Sequence, residues 1–122
     1  MTTGSKIQRR NFYRLKCVLN IEFEWTDRGK IIREFGETFD ISGSGIAFDH
    51  NCILAVDDKI KIFIDVGGKK IETLAKIVAR DDLSTVSKHR YRYRITYVDI
   101  KKKAQDTIID YVWKEQLRNT KH

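Results

Sequence analysis

The sequence predicts a mainly β protein: a six-stranded antiparallel barrel followed by a C-terminal α-helix. Six segments alternate apolar and polar residues, as half-buried strands do, and turn-forming residues separate them about every ten residues. The tail then changes to the three- and four-residue spacing of an amphipathic helix. This combination is typical of a small closed barrel whose helix covers an opening or an edge, although other small barrels share the strand pattern.

The first three strands lie in the N-terminal half of the chain. Every second residue over 17–25 is apolar, which predicts a half-buried strand. A turn at 27–29 leads into a second strand over 30–39. The Ser-Gly-Ser-Gly run at 42–45 then interrupts the chain before a third, short strand over 46–48.

The next three strands follow a longer connection. Residues 59–66 show the most regular alternation in the chain. Gly67-Gly68 fits a two-residue hairpin turn, because both central positions of such a turn require a positive φ. Strands over 70–80 and 90–98 complete the set of six.

A helix over 101–118 ends the domain, with Asp99 as a suitable N-cap. At 122 residues and 41% hydrophobic content, the chain is long enough for one modest core and too short for two. We therefore expect one barrel domain, 10–122, preceded by a flexible basic arm, 1–9.

The chain is basic, with 24 Lys and Arg against 17 Asp and Glu and a net charge of +7. This charge indicates an anionic partner or a strongly basic surface. No apolar run approaches the roughly 20 residues of a membrane span, and no apolar leader is visible, so we expect a cytoplasmic protein without membrane insertion. Cys17 and Cys52 allow one pair at most, but Cys17 alternates with apolar neighbours, which favours a buried free thiol.

Arginines dominate the segment before the first strand. Arg10 and Arg14 stand four residues apart, and no acidic residue occurs before Glu22. A guanidinium group is a planar fork that binds a phosphate, or the O6/N7 edge of guanine, through two hydrogen bonds. A solvated basic tail is the alternative, since arginines at this spacing are common by chance.

A second motif, Asp40-x-Ser42-x-x-Gly45, lies at the break between the second and third strands. Asp40 can accept from the N1–H and N2–H₂ edge of a guanine, and the Ser42 hydroxyl can donate or accept. Gly45 lets a flat base approach the backbone. A simple turn is the alternative, in which the polar side chains bond to nearby backbone and the glycines take a positive φ.

Together the two motifs resemble those of the PilZ domain family, bacterial receptors for the second messenger cyclic di-GMP. The family carries RxxxR ahead of its first barrel strand and (D/N)xSxxG between its second and third strands, and both motifs stand here in that order. The strand count and the terminal helix extend the resemblance over most of the chain. The resemblance implies a six-stranded antiparallel PilZ-type β-barrel with a C-terminal helix.

The resemblance also implies roles for the motif residues. Arg10 and Arg14 would hold phosphate oxygens and the Hoogsteen edge or face of a guanine. Asp40 and Ser42 would bind a guanine's polar edge, and Gly45 would allow close approach to the backbone. In such domains the arm folds over the ligand, which neutralises arginines that otherwise repel one another and so offsets the lost chain entropy.

Arg9 completes an RRxxxR pattern, and at this position the family often stacks or clamps a second ligand molecule. We therefore expect two molecules of cyclic di-GMP per chain, bound as a stacked pair against the arm. The resemblance implies a receptor or adaptor that is not an enzyme, needs no cofactor and signals to an unidentified protein partner.

Nonspecific binding of nucleic acid is the alternative function, for which Arg and Tyr alternate favourably over 90–94. Strict alternation, however, places Tyr91, Tyr93 and the apolar residues after them on the core face, which favours a structural strand. One outward arginine of this strand, or Arg80, would then reach a ligand phosphate. The three candidates on the strand are Arg90, Arg92 and Arg94.

Enzymatic chemistry has little support in the sequence. His50, His89 and His122 are scattered without the spacing of metal ligands, and Ser42 and Ser44 have no nearby His to activate them. A phosphodiesterase would require a cluster of metal ligands.

Overall fold

Antiparallel strands make up most of the fold. The computed structural model describes residues 13–83 and 89–119. The predicted arm, 1–9, lies outside these residues, and so do Arg9 and Arg10. The described residues form seven strands and a helix: β1 (Leu15–Lys16), β2 (Asn20–Asp27), β3 (Lys30–Ile41), β4 (Gly45–His50), β5 (Lys59–Val66), β6 (Lys69–Asp82), β7 (Tyr91–Val98) and α1 (Lys102–Asn119).

Six strands close into the predicted antiparallel barrel. They neighbour one another in the order β3-β2-β5-β6-β7-β4, and β4 pairs with β3 to complete the circle. The mainly β fold with a C-terminal helix is therefore confirmed. The two-residue strand β1 was not predicted; it pairs with the end of β3, where Leu15 lies opposite Ile41 and Lys16 opposite Asp40.

Two tight hairpins have a positive φ at both central residues. At the β2–β3 turn, Arg28 and Gly29 have φ of 52° and 79°, and at the β5–β6 turn Gly67 and Gly68 have φ of 58° and 83°. Positive φ at both central residues matches the right-handed twist of the flanking strands. The predicted turn at Gly67-Gly68 is confirmed.

The barrel interior holds one apolar core, as the alternation predicts. The largest fully buried side chains come from every strand except β1, and from α1: Phe23, Ile41, Phe48, Ile62, Val66, Ile77, Tyr93, Ile108 and Val112. Helix α1 covers the barrel end where β3 runs into β4, and Gln105 Nε2 donates a hydrogen bond of 2.8 Å to the Gly43 carbonyl there. This end also carries the second motif.

Several predicted boundaries are wrong by one to three residues. Strand β2 begins at Asn20 and not at residue 17, β3 continues to Ile41, and α1 begins at Lys102. Asp99 is not the N-cap, because its φ of 54° places it in a left-handed bend before the helix. The Lys101 carbonyl accepts a bond of 3.0 Å from the Gln105 amide, which assigns the cap position to Lys101.

Two further sequence predictions concern the whole chain. Cys17 and Cys52 are both free, but Cys17 is only partly buried, whereas the sequence predicts a buried thiol. Across residues 13–83 and 89–119, no helix has both the length and the apolar character that crossing a membrane requires.

Candidate functional site

Asp40 is the residue at which the two motifs meet. It lies near the end of β3, opposite Lys16 of β1 and Ala47 of β4. Arg14 directly precedes β1, and its Nη2 donates to Asp40 Oδ1 over 2.6 Å. The Arg14 and Asp40 side chains are 39% and 12% exposed. The described arginine of the first motif therefore makes a charge-assisted hydrogen bond to the carboxylate of the second.

Ser42 closes the turn that follows β3. Its side chain is fully buried, and its Oγ accepts bonds of 3.2 Å from the amides of Ser44 and Gly45. The Ser42 amide in turn donates to the Gly45 carbonyl over 2.9 Å. The simple turn, the alternative to a ligand site, is thus present at Ser42. Within the described residues Asp40 closes no such turn, because the bond that its Oδ1 accepts comes from Arg14.

Gly45 has a structural requirement that the sequence did not reveal. The positive-φ glycines of the described chain are Gly29, Gly67 and Gly68, so Gly45 does not serve to reach that conformation. A Cβ built on Gly45 would overlap the carbonyl oxygen of Ile95 on β7, and would lie 3.1 Å from the Ile95 carbonyl carbon. The absent side chain lets β4 and β7 approach each other at the point where the motif begins its strand.

Tyr97 supports the turn from within the core. Its hydroxyl donates 2.8 Å to the Ser42 carbonyl. Burial raises the pKa of Tyr97 far above its usual value; the Arg14 charge opposes this shift, and the Asp40 charge adds to it. Alternation correctly predicted Tyr97 on the core face, but the bond to the second motif depends on tertiary contacts that the pattern does not report.

A second charged group lies beside Asp40. Arg92 donates from Nε and Nη2 to the two carboxylate oxygens of Asp49, over 2.7 and 3.0 Å. Its guanidinium carbon lies 3.5 Å from the centre of the Phe39 ring. The hydrogen bond to Asp49 raises the pKa of Arg92; burial lowers it, and the charges of Asp49, Asp40 and Asp81 raise it further. Phe39 and Asp49 were missed by the sequence analysis.

Phe39 owes its position to an irregularity in β3. Thr38 pairs with Phe48 and Asp40 with Ala47, so Phe39 is the extra residue of a β-bulge. A cleft of about 410 Å³ opens beside it. The residues that line this cleft are Lys16, Cys17, Val18, Glu37, Thr38, Phe39, Asp49 and His89.

The other candidate arginines lie elsewhere. Arg80 and Arg90 pack on Tyr91, at 5.2 and 5.7 Å from its ring centre, and Arg80 Nη1 donates to the Leu54 carbonyl over 3.4 Å. Arg94 Nε lies 3.8 Å from an oxygen of Asp81. Arg94 pairs through its backbone with Ala47, the β4 partner of Asp40, whereas Arg92 places its guanidinium group on Phe39, the residue before Asp40.

One group of potential metal ligands occurs in the described residues: Glu34, His50 and Cys52, whose ligand atoms lie within 4.8 Å of one another. His50 Nδ1 accepts a hydrogen bond of 3.0 Å from the Cys52 amide, so in the neutral ring the proton is on Nε2, which faces Glu34 at 3.7 Å. Burial lowers the pKa of His50 and raises that of Cys52. A metal ion would have to displace these interactions.

The fold is a small β-barrel of six strands with a helix across one end, and the two motifs meet at Asp40. Within this class, a family model described as the PilZ domain matches residues 8–113. The chain belongs to the PilZ domain family. A comparison with curated protein sequences finds no match.

Solved structures share the fold at low sequence identity. The inhibitor of motility MotI/DgrA of Bacillus subtilis is 20% identical with a TM-score of 0.73, over 91% of this chain and 52% of that one. The PilZ domain of Escherichia coli YcgR with c-di-GMP is 13% identical with a TM-score of 0.68, over 93% and 98%. The K. pneumonia MrkH–c-di-GMP complex is 14% identical with a TM-score of 0.71, over 93% and 55%. The chain thus spans about half the length of MotI and MrkH.

Proposed function

We propose that this chain is a receptor for cyclic di-GMP that acts by binding and not by catalysis. The observation that carries the proposal is the contact between Arg14 and Asp40, which joins the two motifs at one point on a PilZ barrel. Two similar structures, the YcgR domain and MrkH, contain c-di-GMP. Support therefore comes from family membership and from the geometry of the motif residues together.

Asp40 and Arg14 would each exchange their present partner for the ligand. The Asp40 carboxylate would accept from the N1–H and N2–H₂ edge of a guanine, and Arg14 would donate to a phosphate or to O6 and N7. Arg14 is 39% exposed and so open to a ligand, whereas the Asp40 carboxylate is only 12% exposed and needs a new donor when Arg14 leaves it. A ligand that offers both a guanine edge and a phosphate replaces both partners in one binding event.

Ser42 and Gly45 would act through the turn that they form. The Ser42 hydroxyl contacts Ser44 Oγ over 3.0 Å and the Gly45 carbonyl over 3.3 Å. To donate to the guanine edge, the hydroxyl must therefore rotate its proton away from these two oxygens. We propose that Gly45 holds β4 against β7 so that the turn keeps its position when ligand binds.

The arm would complete the site. We propose that Arg9 and Arg10 bind the ligand together with Arg14, and that the arm becomes ordered as they do so. We also propose that two ligand molecules bind per chain. The ordered arm would signal to a protein partner, and no cofactor would be needed. The free thiols of Cys17 and Cys52 support a reducing compartment, the cytoplasm.

Calorimetric titration with cyclic di-GMP tests the receptor proposal. Asp40→Asn replaces an acceptor oxygen by a donor that faces guanine donors, so we expect its affinity to fall by about 2 kcal/mol or more. Glu34→Asn, a carboxylate on the same strand but away from the motif, is the matched control and should bind like the unmodified chain. Failure of the unmodified chain to bind would contradict the proposal.

Salt dependence separates the receptor from a nonspecific nucleic-acid binder. A protein that neutralises many phosphates loses affinity steeply and log-linearly with salt concentration. A dinucleotide with two phosphates should give a shallow slope and saturate at one or two molecules per chain. A steep slope with single-stranded DNA, and no response to cyclic di-GMP, would favour nucleic-acid binding instead.

A further inference from the structure

We infer that Arg92 and Phe39 form a stacking platform for a guanine base of the bound ligand. The inference rests on the proposed function of the same site and adds a binding residue outside both motifs. Arg92 comes from β7, Phe39 from the bulge of β3, and Asp49 from β4, so three strands build the platform.

The guanidinium group of Arg92 is held on one face and one edge. Phe39 covers one face at 3.5 Å from guanidinium carbon to ring centre. Asp49 binds the edge through Nε and Nη2, over 2.7 and 3.0 Å. The side chain is 23% exposed, so part of the planar group still reaches solvent. An arginine fixed in this way presents its second face to a flat partner without losing further side-chain freedom on binding.

The platform lies within reach of the guanine that Asp40 would bind. Phe39 directly precedes Asp40, and β4 alone separates β3 from β7 at this point. Asp40 and Arg94 pair with the same β4 residue, Ala47, and Arg92 lies two residues further along β7, so the backbones that carry Asp40 and Arg92 are separated by about 12 Å. Two side chains and a purine ring bridge such a distance. The charge of Asp40 also acts on Arg92, which fits this proximity.

A purely structural pair is the competing explanation. Arg92 and Asp49 face each other across β4 and β7, and such cross-strand ion pairs stabilise sheets without binding anything. The two explanations predict different results when the planar guanidinium group is replaced by an ammonium group. A base stacks on a guanidinium plane but not on an ammonium group, whereas a lysine keeps the charge and can still pair with Asp49.

The decisive variants are Arg92→Lys and Phe39→Leu, titrated with cyclic di-GMP beside the unmodified chain. Stacking on one base accounts for about tenfold in affinity, so we expect both variants to bind about tenfold more weakly. Their unfolding midpoints should move no further than that of the control. Phe39→Leu keeps an apolar side chain, so it provides a second variant if Arg92→Lys perturbs the sheet.

Arg33→Lys is the matched control. Arg33 also stacks on a phenylalanine, Phe63, at 4.3 Å, and donates to Glu24 over 3.1 and 2.9 Å. It lies seven residues before Asp40 on β3, about 23 Å along the strand. Its replacement should leave affinity unchanged.

The outcomes separate the two proposals. If the unmodified chain does not bind cyclic di-GMP, the receptor proposal fails. If it binds, and Arg92→Lys binds within twofold of Arg33→Lys, the stacking platform alone is overturned. A tenfold loss in Arg92→Lys and Phe39→Leu, at unchanged stability and with Arg33→Lys like the unmodified chain, supports the platform.

Discussion

Replacing Gly45 by alanine should destabilise the barrel at its site end. The added methyl would overlap the Ile95 carbonyl oxygen, and its next neighbours, the Ile95 carbonyl carbon and Thr96 Cα, would lie at 3.1 and 3.3 Å. Backbone atoms cannot rotate away as a flexible side chain can. Strands β4 and β7 must therefore separate locally by about 1 Å before the methyl fits.

The cost follows from the bonds around this contact. The Tyr97 amide donates to the Ser44 carbonyl over 3.2 Å, and a shift of this size would lengthen the bond beyond useful range. Overpacking contributes about 1–3 kcal/mol, and each lost backbone hydrogen bond about 1 kcal/mol. We expect a total loss of about 2–4 kcal/mol, which lowers the melting temperature of a chain of this size by about 8–16 °C.

Thermal unfolding followed by circular dichroism measures this loss, with Gly36→Ala as the matched control. A Cβ on Gly36, also within a barrel strand, would meet its nearest atom, the Asp49 carbonyl oxygen, at an ordinary 3.5 Å. That variant should melt within about 2 °C of the unmodified chain, since alanine is no worse than glycine in a strand. Equal melting of the two variants would refute the close approach of β4 and β7.

Three other changes test the site and its surroundings. Arg14→Ala should weaken cyclic di-GMP binding by about 2–5 kcal/mol in calorimetry. Its unfolding free energy in urea should fall by about 1–3 kcal/mol, because the Asp40 carboxylate, only 12% exposed, loses its donor; unchanged affinity would count against the first motif. Burial raises the pKa of Cys17 to about 11, so in Cys52→Ser its alkylation at pH 8 should be far slower than that of a free thiol and should accelerate up to about pH 11. Arg9→Leu should reduce the calorimetric endpoint from two ligands per chain to one, whereas an endpoint of one in the unmodified chain would contradict the stacked pair.

The features that the sequence predicts well are those set by local periodicity. Strand alternation, the positive-φ requirement of Gly67-Gly68 and the helical spacing of the tail each depend on neighbouring residues. These local rules sufficed for the six barrel strands and the helix. They misplaced the ends of elements, as at Asp99, because a cap depends on backbone geometry that several polar residues can satisfy.

The features that the sequence could not predict arise from the register between strands that are distant along the chain. Phe39 is the extra residue of a bulge because Thr38 and Asp40 pair with adjacent residues of β4. No local sequence pattern predicts this bulge. Arg92 appeared in the sequence as one of several equivalent outward arginines; its pairing with Asp49 singles it out. The sequence singles out Gly45 for the close approach of a base, whereas in this structure β7 occupies the space beside it.

The pairing of Arg14 with Asp40 also bears on which anions the site accepts. An isolated phosphate could replace Asp40 as the partner of Arg14, but it would leave a carboxylate that is only 12% exposed without its donor and beside a second negative charge. A guanine nucleotide supplies a donor edge for the carboxylate and a phosphate for the arginine at once. The Arg14–Asp40 pair therefore disfavours binding of an isolated phosphate relative to a guanine nucleotide. Inorganic phosphate at millimolar concentration should consequently compete poorly with cyclic di-GMP, even though the chain carries a net charge of +7.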